Sequence, residues 1–153
     1  MTDEYLKDVQ PLGRALRQAG AAIEALMECR IEEAGISFGQ LRALHAVCEG
    51  MATTPGAIAE AMALSTGSAT RLIDSLERSG WLTRERRKDD RRVIELKVTD
   101  DGRAMVRTVA PIVFRAWREV LDGLDATGIG ILKAYLSDIT CLADELRMTG
   151  QRD

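Results

Sequence analysis

Residues 65–99, STGSATRLIDSLERSGWLTRERRKDDRRVIELKVT, constrain the fold more than any other stretch. Ser65 can cap a helix in which Ala69, Leu72, Ile73 and Leu76 fall at i, i+3, i+4 and i+7, the spacing of one buried helical face. That helix ends near Ser79-Gly80. Trp81 to Arg87 and Val93 to Val98 then read as two strands joined by Lys88-Asp89-Asp90-Arg91-Arg92, a polar and charged hairpin tip. In the second strand Ile94, Leu96 and Val98 alternate with Val93, Glu95 and Lys97, which predicts one buried face.

The rest of the chain reads as helices. Val9, Leu12, Leu16, Ala19, Ile23 and Leu26 alternate spacings of three and four, a heptad-like seam, with Gly35 as a stop. Ser37 can cap a second helix to about Glu49, with Leu41, Leu44, His45 and Cys48 on one face and Gly50 closing it. Thr54-Pro55, an N-cap followed by proline, starts a short third helix with Ile58, Ala59 and Met62 inward. Ala63-Leu64 links it tightly to the helix after Ser65, so the pair forms a helix-turn-helix. Thr99 can cap a fifth helix to about Asp122, with Asp100 and Asp101 in its positive first turn. Its apolar residues, among them Met105, Val109, Phe114, Trp117 and Val120, fall on nearly all sides. That pattern predicts burial all round, more than one small subunit can supply, and hence subunit contact. Pro111 inside it predicts a kink. Asp125 can cap a sixth helix striped by Ile129, Leu132, Leu136, Ile139, Ala143 and Leu146. The order is α-α-α-α-β-β-α-α: a mainly α chain with a small β-hairpin.

Charge is distributed unevenly. The formal net charge is −3 over 153 residues, but residues 65–99 carry 9 Lys+Arg against 6 Asp+Glu. A local basic patch on an acidic body suits a defined polyanion footprint; the alternative is a solvated charged hairpin. No segment reaches the ~20 apolar residues of a membrane helix. MTDEYLKDVQ lacks a signal-peptide pattern, so a cytoplasmic protein without membrane attachment is expected. Cys29, Cys48 and Cys141 are too scattered for a disulfide framework or zinc site, and burial is expected of all three. His45 is the only histidine, so no metal site is expected. No phosphate loop, nucleophile elbow or acid/base cluster suggests an enzyme, and no cofactor is expected. Six aromatics are too few for a single-strand stacking platform.

Leu82-Thr83-Arg84, then Asp90-Arg91-Arg92, then Leu96-Lys97-Val98-Thr99-Asp100-Asp101-Gly102 resemble the wing of the MarR family of winged-helix transcriptional regulators. Leu64-Ser65 through Thr70-Arg71 resembles that family's recognition-helix start, and the likeness covers almost the whole chain. It implies a winged helix-turn-helix fold in a single domain over 1–153. Residues 37–99 would form the DNA-binding lobe, and 1–34 and 100–148 the dimerisation helices. Three positions depart from the pattern. Ala63 stands where the helix-helix turn often has glycine, which implies a slightly strained or differently shaped turn. Ala57 replaces the acidic capping-box residue. Arg87 and Lys88 replace an acidic-proline pair, making this wing more basic.

The resemblance implies a homodimer on an inverted-repeat duplex. Its DNA contacts would come from Ser65, Thr66, Gly67, Ser68, Thr70 and Arg71 on the recognition helix, and from Arg84, Arg86, Lys88, Asp90, Arg91 and Arg92 on the wing. Short hydroxyl side chains and a glycine let the backbone approach phosphate, and the helix N-terminus favours it. Ser65 is either a cap alone or a cap that also touches phosphate. Arg71 is suited to guanine O6/N7 or a phosphate, or else to a surface salt bridge near Asp74. Arg92 would enter the minor groove, with Asp90 orienting a neighbouring arginine. Repression relieved by a small aromatic or phenolic anion is common in the family; His45, Cys48, Phe114 and Trp117 could line such a site, or be ordinary core residues. Two alternatives remain open: a redox-sensing regulator working through a cysteine, and a winged helix used as a protein-interaction module.

Overall fold

The computed structural model describes residues 3–87 and 89–149, and the chain divides into two compact units, one running to Ala116 and the other starting at Trp117. In the first unit, helix α1 (Asp3–Ile31) continues through Pro11 and is followed by a 3-10 turn, Glu32–Ala34. The turn ends on Gly35 at φ +71°. Helix α2 (Phe38–Cys48) starts on a reciprocal cap, in which Ser37 Oγ accepts from Gln40 N–H and Gln40 Oε1 accepts from Ser37 N–H. Helix α3 (Pro55–Ala61) starts on Thr54, whose Oγ1 accepts from Ala57 N–H at 3.2 Å. Helix α4 (Thr66–Arg78) starts on Ser65, as its sequence predicts.

Strands β1 (Leu82–Arg86) and β2 (Ile94–Val98) pair antiparallel, with Leu82 opposite Val98 and Arg86 opposite Ile94. Each is a residue or two shorter than its predicted run: Trp81, Arg87 and Val93 fall outside the strands, although Arg87 N–H still donates to Val93 C=O at 3.1 Å. The outer edge of β2 is held as well: Leu96 N–H donates to Thr53 C=O at 2.8 Å, tying the hairpin to the segment before α3. Leu96 and Val98 are buried as the alternation predicts, but Ile94, nearest the tip, is 41% exposed.

One core joins these elements. Leu44, Ile58, Ile73, Leu76, Leu82, Leu96 and Val109 are all within 2% of full burial. Each contributes roughly 1.5–3 kcal/mol relative to exposure. Helix α5 (Asp100–Leu121) begins on Thr99, whose Oγ1 accepts from Gly102 N–H at 3.0 Å and donates to Gly80 C=O at 2.7 Å. Gly102 is required there: a Cβ would lie 2.2 Å from the Trp81 carbonyl oxygen. The helix runs through Pro111 to Leu121.

The predicted all-round burial of α5 is not found within this chain. Only Gly102, Val109 and Ala116 are fully buried, and Phe114 is 67% exposed. In the second unit, α6 (Ala126–Thr149) follows the expected cap, Asp125 Oδ1 accepting from Gly128 N–H at 2.7 Å. Its apolar stripe (Ile129, Leu132, Leu136, Ile139 and Leu146) is exposed in the isolated chain. No helix among the described residues is long and apolar enough to cross a membrane.

Candidate nucleic-acid interface

The buried face of α4 is Ala69, Ile73 and Leu76, which leaves the first turn outward. Ser65 Oγ accepts from Ser68 N–H at 3.2 Å, so one of the helix's orphan donors is satisfied internally. Ser65 also donates its hydroxyl to Ser68 Oγ at 3.0 Å. Thr66 and Gly67 are exposed, and Thr70 turns its hydroxyl back to Thr66 C=O at 2.8 Å. Arg71 is exposed, and Nη2 donates to Ser68 Oγ at 3.1 Å. Its rival partner Asp74 is taken by another arginine, so among the described residues Arg71 has no carboxylate. The strip therefore presents hydroxyls, one glycine and one long cation at a helix N-terminus.

That other arginine is Arg84 on β1. Its Nη2 lies 2.5 Å from Asp74 Oδ1 and its Nη1 2.6 Å from Glu77 Oε2. Expected as a direct wing contact, it is placed instead against the flank of α4, with both Nη groups engaged and its side chain only 26% exposed. Planar guanidinium geometry suits such a two-carboxylate clamp. The clamp ties wing to recognition helix through residues ten and seven positions apart. The sequence singles out Asp74 only as an alternative partner for Arg71, and does not single out Glu77. Their acidity on an otherwise basic block was the available signal.

At the hairpin tip, Arg87 forms an ion pair with Asp89, whose carboxyl is lowered to about 2, chiefly by the hydrogen bond from Arg87. Asp90 does not hold an arginine guanidinium. Its Oδ1 accepts from the backbone N–H of Arg92 at 3.0 Å, and its carbonyl accepts from Val93 N–H at 3.0 Å. Asp90 therefore shapes the main chain that carries Arg92, because an aspartate two residues before a donor closes a local turn. Arg86, Arg91 and Arg92 are exposed, and none has a carboxylate partner among the described residues. Lys88, also expected at the tip, lies outside the described residues.

The turn between α3 and α4 carries the departure noted in the sequence. Ala63 sits at φ +52°, a left-handed conformation that costs an L-residue roughly 1–2 kcal/mol.

The four candidate ligand residues are not alike. His45 and Phe114 are exposed, and Cys48 is half-buried against the core. Trp117 belongs to the second unit. Burial raises the Cys48 thiol, a push that nearby Arg103 and Arg107 only partly oppose, so Cys48 is held as the neutral thiol rather than an activated thiolate. Burial of all three cysteines is corrected: Cys29 and Cys141 are exposed, Cys29 because it lies on the face of α1 opposite the buried Met27 and Ile31. No metal-holding cluster of histidine, cysteine and carboxylate occurs among the described residues.

A MarR family model matches residues 34–93, from the 3-10 turn through α2, α3, α4 and β1 to the wing tip. The fold matches that of a MarR variant from Escherichia coli complexed with operator DNA, with a TM-score of 0.79 at 22% identity over 86% of this chain and 95% of that one. Over residues 34–93, this chain matches the MarR family. The family is one of transcription regulators, not enzymes. The transcriptional repressor MprA of Escherichia coli (strain K12) is 27% identical over 96 residues, 63% of this chain and 54% of MprA. The chain thus spans about half the length of that relative. CouR from Rhodococcus jostii RHA1, bound to p-coumaroyl-CoA, has the same fold, with a TM-score of 0.77 at 22% identity over 84% of this chain and 90% of that one.

Proposed function

We propose that this protein is a homodimeric, sequence-specific duplex DNA-binding regulator, a repressor that a small aromatic or phenolic anion releases. The observation that carries it is the state of the cations. Arg71 on α4 and Arg86, Arg91 and Arg92 on the wing are exposed without carboxylate partners among the described residues, while Arg84 is held against α4. Unneutralised arginines at a helix N-terminus and on a hairpin tip suit major-groove and minor-groove contact respectively. The likeness to a protein complexed with operator DNA supports the same role, as does the repressor name of MprA.

Dimerisation is supported by the exposed apolar residues of α1 (Leu12, Leu16) and, separately, of α6. Exposed apolar stripes of this kind suit contact with a partner subunit. The proposed ligand class rests on CouR binding an aromatic acyl thioester. A regulator of chromosomal DNA would act in the cytoplasm.

Selection of random duplexes on the purified protein tests the proposal. The expected winner is an inverted repeat with half-site centres about 10 base pairs apart, bound with affinity that falls steeply with salt. Arg92→Ala is expected to weaken operator binding severely while leaving the dimer folded. Weak, uniform binding to every duplex would refute the proposal and favour a protein-interaction module. Ligand release is tested by phenolic acids, which should raise the melting temperature and free the operator; neither effect would remove that part.

A further inference from the structure

Gln40, in the first turn of α2, uses its side-chain amide in two directions. Oε1 accepts from Ser37 N–H at 2.9 Å, half of the cap that starts α2. Nε2 donates to Ser75 Oγ at 2.9 Å, across to α4 and 35 positions along the chain. Ser75 donates its own hydroxyl to Leu72 C=O at 2.6 Å, so its oxygen is oriented to accept from Gln40. Both side chains are half-buried, where a directional bond competes with little water.

Ser75 stands four residues after Arg71 and seven after Ser68, so the three share one strip of α4. The Arg84 clamp grips Asp74 and Glu77 on the opposite flank. Between the flanks lies the apolar face of Ala69, Ile73 and Leu76, which resists separation but is not directional. A helix seated on such a face can rotate by a few degrees at small cost, and a hydrogen bond restricts that rotation by its angular dependence.

We propose that Gln40 is a positioning residue for operator recognition: its bond to Ser75 sets the rotation of α4 and so the aim of Arg71. The proposal rests on the DNA-binding function above. It also makes the cap of α2 and the aim of α4 depend on one amide, so a shift at the start of α2 reaches the recognition helix directly.

Two single variants separate the two bonds. Ser75→Ala removes the tie, keeps the cap and puts a better helix former in α4. It is expected to melt at or above the wild-type temperature yet bind the selected operator about 5–20-fold more weakly, with an unchanged salt slope because no phosphate contact is lost. Ser37→Ala removes half the cap and keeps the tie; it is expected to melt lower while binding within about twofold of wild type. In a cycle with Gln40→Ala, the affinity losses at 40 and 75 should not add, because both delete one bond. Wild-type affinity for Ser75→Ala, additive losses, or a salt slope reduced by about one in Ser75→Ala would each overturn the proposal. Failure of the wild-type protein to select any operator would instead remove the DNA-binding function, and the proposal with it.

Discussion

Replacing Asp74 and Glu77 together by Asn and Gln sets two effects of opposite sign against each other. The change removes two negative charges from the flank of a helix assigned to a polyanion, which by electrostatics alone should tighten binding. It also removes both partners of Arg84, the only side chain among the described residues that joins β1 to α4 by ion pairs. The carboxylates are 46% and 39% exposed, so solvent screens them, and each pair alone is worth about 0.2–1 kcal/mol. The guanidinium is better covered, at 26%, and holds both at 2.5 and 2.6 Å, which places the clamp near 1–2 kcal/mol in total. If that energy fixes the angle between wing and recognition helix, its loss weakens operator binding about 5–30-fold, since 1.4 kcal/mol is a factor of ten. Fluorescence anisotropy on the selected operator at about 150 mM salt reads the affinity, and thermal melting reads the fold. The apolar contacts of Ile73, Leu76 and Leu82 keep the hairpin on α4 in either case. Tighter binding with a salt slope larger by about one would mean that the freed Arg84 reaches phosphate, which would refute the clamp as a positioning device.

Ala63→Gly is expected to stabilise the protein by about 0.5–1 kcal/mol, read as a raised denaturant midpoint. Relief of roughly 1–2 kcal/mol of left-handed strain exceeds the ~0.5–1 kcal/mol of extra chain entropy that glycine loses on folding. Gly102→Ala is expected to destabilise by about 1–3 kcal/mol, because the new methyl meets the Trp81 carbonyl oxygen and must push α5 off the hairpin; unchanged melting would contradict that contact. Asp89 has its folded pKa lowered from 3.8 to about 2, so its pairing with Arg87 is complete above pH 4 and is lost as pH falls toward 2. A carboxyl chemical-shift titration checks this, with a midpoint near 3.8 contradicting the pair.

Legibility in the sequence follows the range of the interaction. Ser37, Thr54, Ser65, Thr99 and Asp125 were all readable as caps, and each accepts from a backbone N–H three residues on. Such a bond needs only the residues it spans, so local sequence suffices. The Ser37-x-x-Gln40 spacing carried the reciprocal cap in the same way, although only the serine was singled out. The strained turn at Ala63 was legible only through the family resemblance, in which glycine often stands at that position.

What local sequence could not specify lies across elements. Arg84 reads as one more wing cation until folding brings Asp74 and Glu77 against it. Asp90 reads as an arginine's partner until the turn puts the Arg92 N–H nearer. Gln40 gives no hint of Ser75, 35 positions away. The apolar circumference of α5 was correctly seen, but how much of it this chain covers depends on which neighbours pack there, and Phe114 is left out. Periodicity and capping chemistry therefore determined the order of elements and where each starts. Only tertiary packing decided that Arg84 is neutralised by Asp74 and Glu77 while Arg86, Arg91 and Arg92 face solvent, because a side chain's charge is local while an opposite charge on another element is brought to it by the fold.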